Sequence, residues 1–195
     1  MGGAAPVHPL RLVHEISIVT TEDTTLCLDV GSHYIWMNRY AQAERARQVL
    51  VSNGQQTLGV ALPWAIAAGM VRHGSPVISV SGDGGFLFTA TELETAMRMG
   101  SRFVHVIWNS NSYNMVEFQE QAHYGRVSGI HLGDYDVVKF AESFGAKGYT
   151  INHADELGPV LRDALKQPVP ALINVPVDYT DNIQLMQNVH QEFIH

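Results

Sequence analysis

This sequence has little of several things, and each scarcity excludes a class of function. Its 195 residues contain one cysteine, Cys27. One thiol cannot close an intramolecular disulfide or supply a cysteine-pair metal site, and it suits a reducing cytoplasm. Cys27 lies in the apolar run 26–30 and reads as a small buried hydrophobe. Long apolar runs are missing too. The longest, around 60–70, is too short for a bilayer span. Positive charge is scarce: 12 Lys and Arg against 19 Asp and Glu give a net charge of −7, without basic clusters. Nucleic acid and anionic membrane are therefore poor partners, and an anionic ligand needs a local metal ion or helix N-terminus.

Several motifs are absent as well. The ten histidines form no His-Glu-x-x-His, so zinc hydrolysis has no support. No Gly-x-Ser-x-Gly elbow is present. The start, Met1 to Pro6, lacks the basic and apolar regions of a signal peptide. Pro6 also stands where a myristoylation signal needs Ser or Thr.

What remains is an ordinary globular composition, sized for a single domain over 1–195 with its core at about 9–182 and a patternless tail at 183–195. Apolar β-type runs occur at 25–30, 48–52, 76–81, 103–108 and 171–176, with a weaker one near 148–151. Several are apolar on nearly every residue, as strands buried on both faces are. Helical patterns fall at 10–18, 57–71, 89–99, 115–123, 137–144 and 156–166. In the third of these, Leu93, Ala96 and Met97 share a face. Gly145 follows the fifth, where a helix-ending glycine belongs. This alternation predicts an α/β fold: a doubly wound, mostly parallel sheet with helices on both faces. Ligands of such sheets bind at the carboxyl ends of the strands, so the turns there carry the information.

The sharpest turn is Gly82-Asp83-Gly84-Gly85, which leads into a helix running on through 89–99. Glycines let backbone approach a ligand, and free N–H groups at a helix start favour an anion. Asp83 would repel a phosphate unless a cation lay between them, and Mg2+ takes carboxylate and phosphate oxygens together. The turn is not a dinucleotide fingerprint, because Leu87 stands where the third glycine belongs, nor is it a Walker A loop. Taken alone, it is equally a plain glycine turn with a solvated aspartate. The run Asn109-Ser110-Asn111-Ser112-Tyr113-Asn114 ends the next strand. Its short oxygen-bearing side chains and carbonyls could complete a Mg2+ shell, or simply make an Asn/Ser-rich turn. Adjacent strands would put the two turns side by side, with Ser110 27 residues after Asp83.

Gly82-Asp83-Gly84 followed by Asn109-Ser110 resembles the signature of thiamine-diphosphate enzymes, which begins Gly-Asp-Gly and ends Asn-Asn. Asp29-Val30-Gly31-Ser32-His33-Tyr34-Ile35-Trp36, Ser52 to Gly59, Ala141 to Ala146 and Val175-Pro176-Val177-Asp178-Tyr179 resemble catabolic, FAD-independent acetolactate synthases. The likeness covers roughly residues 9–182. It implies thiamine diphosphate and Mg2+ as cofactors, no FAD, and condensation of two pyruvates to 2-acetolactate with loss of carbon dioxide.

Residue by residue, the resemblance makes Asp83, Ser110 and the Ser112 carbonyl the metal ligands, with Gly82, Gly84, Gly85 and Tyr113 beside the cofactor. Ser32 and His33 match the loop that holds the diphosphate, although a capping or core histidine is the plain alternative for His33. Gln56 matches a carbonyl contact to the pyrimidine amino group. Leu58 matches the apolar wedge under the cofactor, and by itself reads as core. Met115 and Val116 match the substrate side. Gln119 matches an acceptor-pocket position where anabolic synthases carry Trp, and otherwise reads as a solvated helix residue.

Two departures stand out. Ser110 replaces the family's Asn or Asp, which implies weaker Mg2+ binding. The length matches only the last of about three family domains, so the activating glutamate is expected in an absent pyrimidine-binding domain or subunit. The chain alone is then expected to be weak or inactive, and to self-associate through uncovered apolar surface. A stand-alone cofactor-binding module without turnover, or part of another 2-oxo-acid decarboxylase or carboligase, are the competing readings.

Overall fold

The computed structural model describes residues 6–182. The patternless tail at 183–195 and the first five residues of the 1–195 span lie outside the described residues. The elements alternate: β1 Thr25–Leu28, β2 Val49–Val51, β3 Val77–Gly82, β4 Val104–Asn109, β5 Lys147–Thr150 and β6 Ala171–Pro176. Between and around them run α1 Pro9–Val19, α2 Ser32–Tyr40, α3 Ala61–Val71, α4 Asp83–Thr89, α5 Glu92–Arg98, α6 Asn114–Tyr124, α7 Val137–Ser143 and α8 Leu157–Ala164, with a 3-10 turn at Ala154–Glu156.

All six strands join one sheet in the order β2-β1-β3-β4-β6-β5, and every pairing is parallel. The period-2 alternation of strand side chains divides the core. Leu26, Leu28, Ile78, Val80, Val104 and Val106 face a cluster capped by α1, α2 and α8. Cys27, Val77, Ile107 and Leu172 face a second cluster under α3, α4, α5 and α7. Helices therefore cover both faces, which is why β3 and β4 are buried on nearly every residue. Cys27 is fully buried, and burial pushes its thiol up to about 12.

The sequence pattern located every described strand, β6 with its bounds unchanged and the others with ends shifted by one or two residues. Three helical expectations are corrected. The helix expected at 57–71 begins only at Ala61. Residues 57–60 form a turn instead, because the Gly59 N–H donates to both carboxylate oxygens of Asp29 at 3.0 and 2.9 Å. Thr89 Oγ1 holds the Gly59 carbonyl at 2.8 Å, and Gly59 takes φ +80°, which suits glycine. The helix expected to run from the glycine turn through 89–99 is two, α4 and α5, separated at Ala90 and Thr91. The helix expected at 156–166 is the 3-10 turn followed by the shorter α8. One helix, α2, gave no sequence pattern. Its buried face begins with the polar Ser32 and His33 before reaching Trp36 and Met37, so no apolar stripe marks it.

At the β5 edge, Gly148 presses on α7: a Cβ there would lie 2.6 Å from Val138 Cα and 3.0 Å from its carbonyl oxygen. Backbone cannot swing aside as a side chain does. Gly148→Ala is expected to lower unfolding free energy by about 1–3 kcal/mol, read as a shifted urea midpoint; an unchanged midpoint would show that α7 moves freely.

Candidate functional site

The strand order reverses between β1 and β3, since the chain leaves β1 for β2 on one side and returns through β3 on the other. The carboxyl ends of β1 and β3 are thus a topological switch point. The Asp29–Ser32 turn leaves β1 there, and Gly82 to Gly85 leaves β3. β4 neighbours β3 with Gly82 opposite Trp108, which delivers the 109–114 turn to the same place.

The cleft so formed has a volume of about 230 Å³. Every site position proposed from the sequence lines it. Ser32 and His33 open α2, Gln56 and Leu58 lie on the turn before α3, and Gly82, Asp83, Gly84 and Gly85 span the end of β3 and the start of α4. Ser110, Ser112 and Tyr113 follow β4, and Met115, Val116 and Gln119 come from α6. The sequence reading missed Trp108, Asn114 and Tyr179, which line the same cleft. Tyr179 lay within a quoted motif. Only the pairing of β6 with β4, Pro176 opposite Asn109, shows that its segment ends at the cleft. A hollow of about 340 Å³ at the opposite ends of β3 and β4, lined by His73, Ser75, Ser101 and Arg102, has no buried carboxylate. The switch-point cleft is where charge and burial coincide.

Asp83 is 2% exposed. Its carboxylate accepts the N–H groups of Gly84 at 2.8 Å, Ser110 at 2.9 Å and Ser112 at 3.2 Å, and pairs with no cationic side chain among the described residues. Burial holds its pKa above the ordinary value, against those backbone bonds. A buried carboxylate with only neutral donors costs free energy that a cation would offset. Ser110 Oγ lies 3.4 Å from the Ser112 carbonyl oxygen, so a carboxylate, a hydroxyl and a carbonyl gather within one loop pair. No cluster of three His, Cys, Asp or Glu exists among the described residues. The donor set is hard oxygen, which fits Mg2+ completed by water and phosphate oxygens, and does not fit zinc.

Glycine sets the shape of the turn. A Cβ on Gly84 would lie 2.5 Å from Tyr113 Cε1, and one on Gly85 would lie 3.0 Å from Asp29 Oδ2. Asp29 is buried, and desolvation raises its pKa to about 6 against the bonds from Val30 and Gly59. His33 is 1% exposed, and its Nε2 sits 3.1 Å from the Asp29 carbonyl. A carbonyl only accepts, so Nε2 carries the hydrogen and Nδ1 of the neutral ring is an acceptor. Desolvation lowers His33 to about 4. His105, on β4, is held between Ser79 Oγ at 2.7 Å and Ser81 Oγ at 2.9 Å, and burial lowers it to about 3.

These shifts set an acid limit. Both histidines stay neutral when folded but titrate near 6.5 when unfolded, so the unfolded chain takes up more protons as pH falls below 6.5. Their contribution is complete above 6.5 and is lost toward pH 4 and 3. Asp29, raised to about 6, and Asp83, also raised, work the other way, since the folded chain binds their protons first as pH falls. The shifts of the two histidines, from 6.5 to about 4 and about 3, outweigh those of the two carboxyls, and stability should fall from pH 6.5 downward. In NMR titrations the ring protons of His33 and His105 should not shift between pH 8 and 5; titration of either near 6.5 would show that it is not held neutral.

A parallel α/β sheet with a buried carboxylate among neutral donors at its switch point has the chemistry to hold a cation beside an anionic ligand. The chain belongs to the thiamine pyrophosphate enzyme family, as its C-terminal TPP binding domain, which residues 29–175 match. It is 50% identical over 178 residues to an acetolactate synthase of Bacillus subtilis (strain 168), covering 91% of this chain and 31% of that protein. It is 50% identical over 184 residues to a catabolic acetolactate synthase of Raoultella terrigena, covering 94% and 33%. A probable acetolactate synthase large subunit of Methanocaldococcus jannaschii is 32% identical over 189 residues, covering 93% and 32%. The chain spans about a third of the length of these relatives.

Proposed function

We propose that this chain forms the diphosphate and Mg2+ half of the cofactor site of an FAD-independent acetolactate synthase acting on pyruvate. The observation that carries the reading is Asp83: a buried carboxylate without a cationic partner among the described residues, in a glycine-lined cleft at the switch point. When bound, thiamine diphosphate supplies the electron sink for decarboxylation and carbon–carbon bond formation. The residues of this chain place it. Asp83, Ser110 and the Ser112 carbonyl would hold Mg2+, and Gly82, Gly84 and Gly85 would allow the diphosphate to approach the backbone. The first N–H groups of α2, at Ser32 and His33, lack intrahelical partners and face the same anion. Tyr113 walls the glycine turn. Leu58, which lines the cleft, would give the cofactor an apolar support, and the Gln56 carbonyl would accept from its amino group. Met115, Val116 and Gln119 line the substrate side, with Gln119 favouring pyruvate as acceptor.

The cleft wall contains no glutamate among the described residues, in keeping with an activating carboxylate supplied by a pyrimidine-binding domain or partner subunit. α6 has no fully buried residue, which supports a covering partner in a homo-oligomer. The buried lone thiol suits a cytoplasmic protein, and no helix among the described residues is long and apolar enough to cross a membrane.

Calorimetric titration with thiamine diphosphate, with and without Mg2+, alongside an acetolactate assay on pyruvate tests this. Binding that requires Mg2+, with weak or no turnover by the chain alone, is expected. Absence of binding in Mg2+ would sink the reading, and Mg2+-dependent turnover would overturn the half-site claim. Ser110→Asp adds a charged oxygen ligand and should lower the Mg2+ concentration for half-maximal binding on the order of tenfold; no change would remove Ser110 from the ligand set.

A further inference from the structure

The side chains at the start of α2 have already committed their hydrogens. Ser32 Oγ donates to Asn114 Oδ1 at 2.6 Å. His33 spends its one ring hydrogen on the Asp29 carbonyl and turns an acceptor nitrogen toward Gly31 and Gly82, where a Cβ would stand 3.0 and 3.4 Å from Nδ1. Neither side chain can donate to an anion in this arrangement, so only their backbone N–H groups face it. A side-chain donor must come from another wall.

Tyr179 stands on that wall. Its segment leaves β6 beside β4, and its ring stacks on the fully buried Trp108 with centroids 6.4 Å apart. Asn182 latches the segment. It accepts Trp36 Nε1–H at 2.7 Å and donates through Nδ2 to the same Asn114 oxygen that Ser32 uses, at 2.8 Å. The Tyr179 hydroxyl makes no hydrogen bond to a described residue, and the half-buried residue lines the cleft. Burial and the nearby Asp83 charge keep the phenol protonated, hence a donor.

We infer that Tyr179 is a diphosphate-binding residue of this chain, donating its phenolic hydrogen to the anion from the wall built by the 177–182 segment. This rests on the proposed cofactor reading. It adds a side-chain donor to the backbone donors of α2, and Asn182 and Asn114 hold the 177–182 segment against α2.

The test is calorimetry of the 195-residue chain with Mg2+-pyrophosphate and with thiamine diphosphate, wild type against Tyr179→Phe. Phenylalanine keeps the ring on Trp108, so an unchanged melting temperature checks that the fold is retained. Losing a hydrogen bond to a charged group should raise the Kd for both ligands about tenfold or more. In the wild type, donation by the phenol should also perturb the tyrosine ultraviolet band when Mg2+-pyrophosphate binds, and the variant should lack that perturbation. Equal affinities would overturn the role of Tyr179 and leave the cofactor reading standing. If the wild type binds neither ligand, the cofactor reading itself fails and the role of Tyr179 falls with it.

Discussion

Asp83→Asn is expected to abolish Mg2+-dependent binding of thiamine diphosphate, with a Kd increase of at least about 100-fold. The reasoning is electrostatic. Asp83 is the only formal negative charge in a donor set otherwise made of a hydroxyl and a carbonyl. Metal affinity commonly falls ~10–100-fold when even an outer-shell partner is lost, and a directly coordinating carboxylate contributes more. Asn has nearly the same shape, and with its oxygen toward the Ser110 and Ser112 N–H groups it keeps two of the three backbone bonds, losing only that from Gly84. The metal-free variant should therefore retain its circular dichroism while losing the calorimetric signal. Wild-type affinity in the variant would mean that the cation is held elsewhere, and the proposed site would have to be abandoned.

Phe86→Ala is expected to cost about 3–5 kcal/mol of unfolding free energy, as large aromatic truncations in cores do. Phe86 is 1% exposed and stands one turn after Asp83 on α4. Its ring packs on His105 at 5.5 Å, Tyr135 at 6.3 Å and Phe140 at 5.7 Å, joining α4 to β4 and α7. A domain is usually stable by ~5–15 kcal/mol, so the variant should sit near its unfolding threshold at 37 °C. Urea denaturation measures the loss directly. A loss below about 1 kcal/mol would show that the neighbouring rings close the cavity. The site should suffer as well, because Phe86 anchors the helix that carries Asp83.

The fold was legible because its strands are buried on both faces. Side chains such as Ile78, Val80, Val104 and Val106 write that burial into the sequence as near-continuous apolar runs. Edges were harder. β5 is Lys147-Gly148-Tyr149-Thr150, half exposed and weakly patterned. α2 was invisible because its buried positions begin with the polar Ser32 and His33, where an apolar stripe would have marked a helix. The start of α3 was misplaced because a tertiary bond from Gly59 to Asp29, 30 residues away, overrode a local helical pattern.

The candidate site divides in the same way. Gly82-Asp83-Gly84-Gly85 and Asn109 to Asn114 could be found by eye, since a glycine-rich turn around a carboxylate and a polar turn after the next strand are local facts of composition. The sequence by itself determined the parallel α/β class, the two turns at strand ends and the hard-oxygen character of the donors. Only the tertiary structure decided that Asp83 is buried among neutral N–H groups, that Ser32 and His33 have spent their side-chain hydrogens, and that Tyr179 comes to the cleft. The physical reason is range. Periodicity and turn chemistry act over a few residues, whereas strand order, desolvation and hydrogen-bond saturation depend on groups that the chain brings together from far apart.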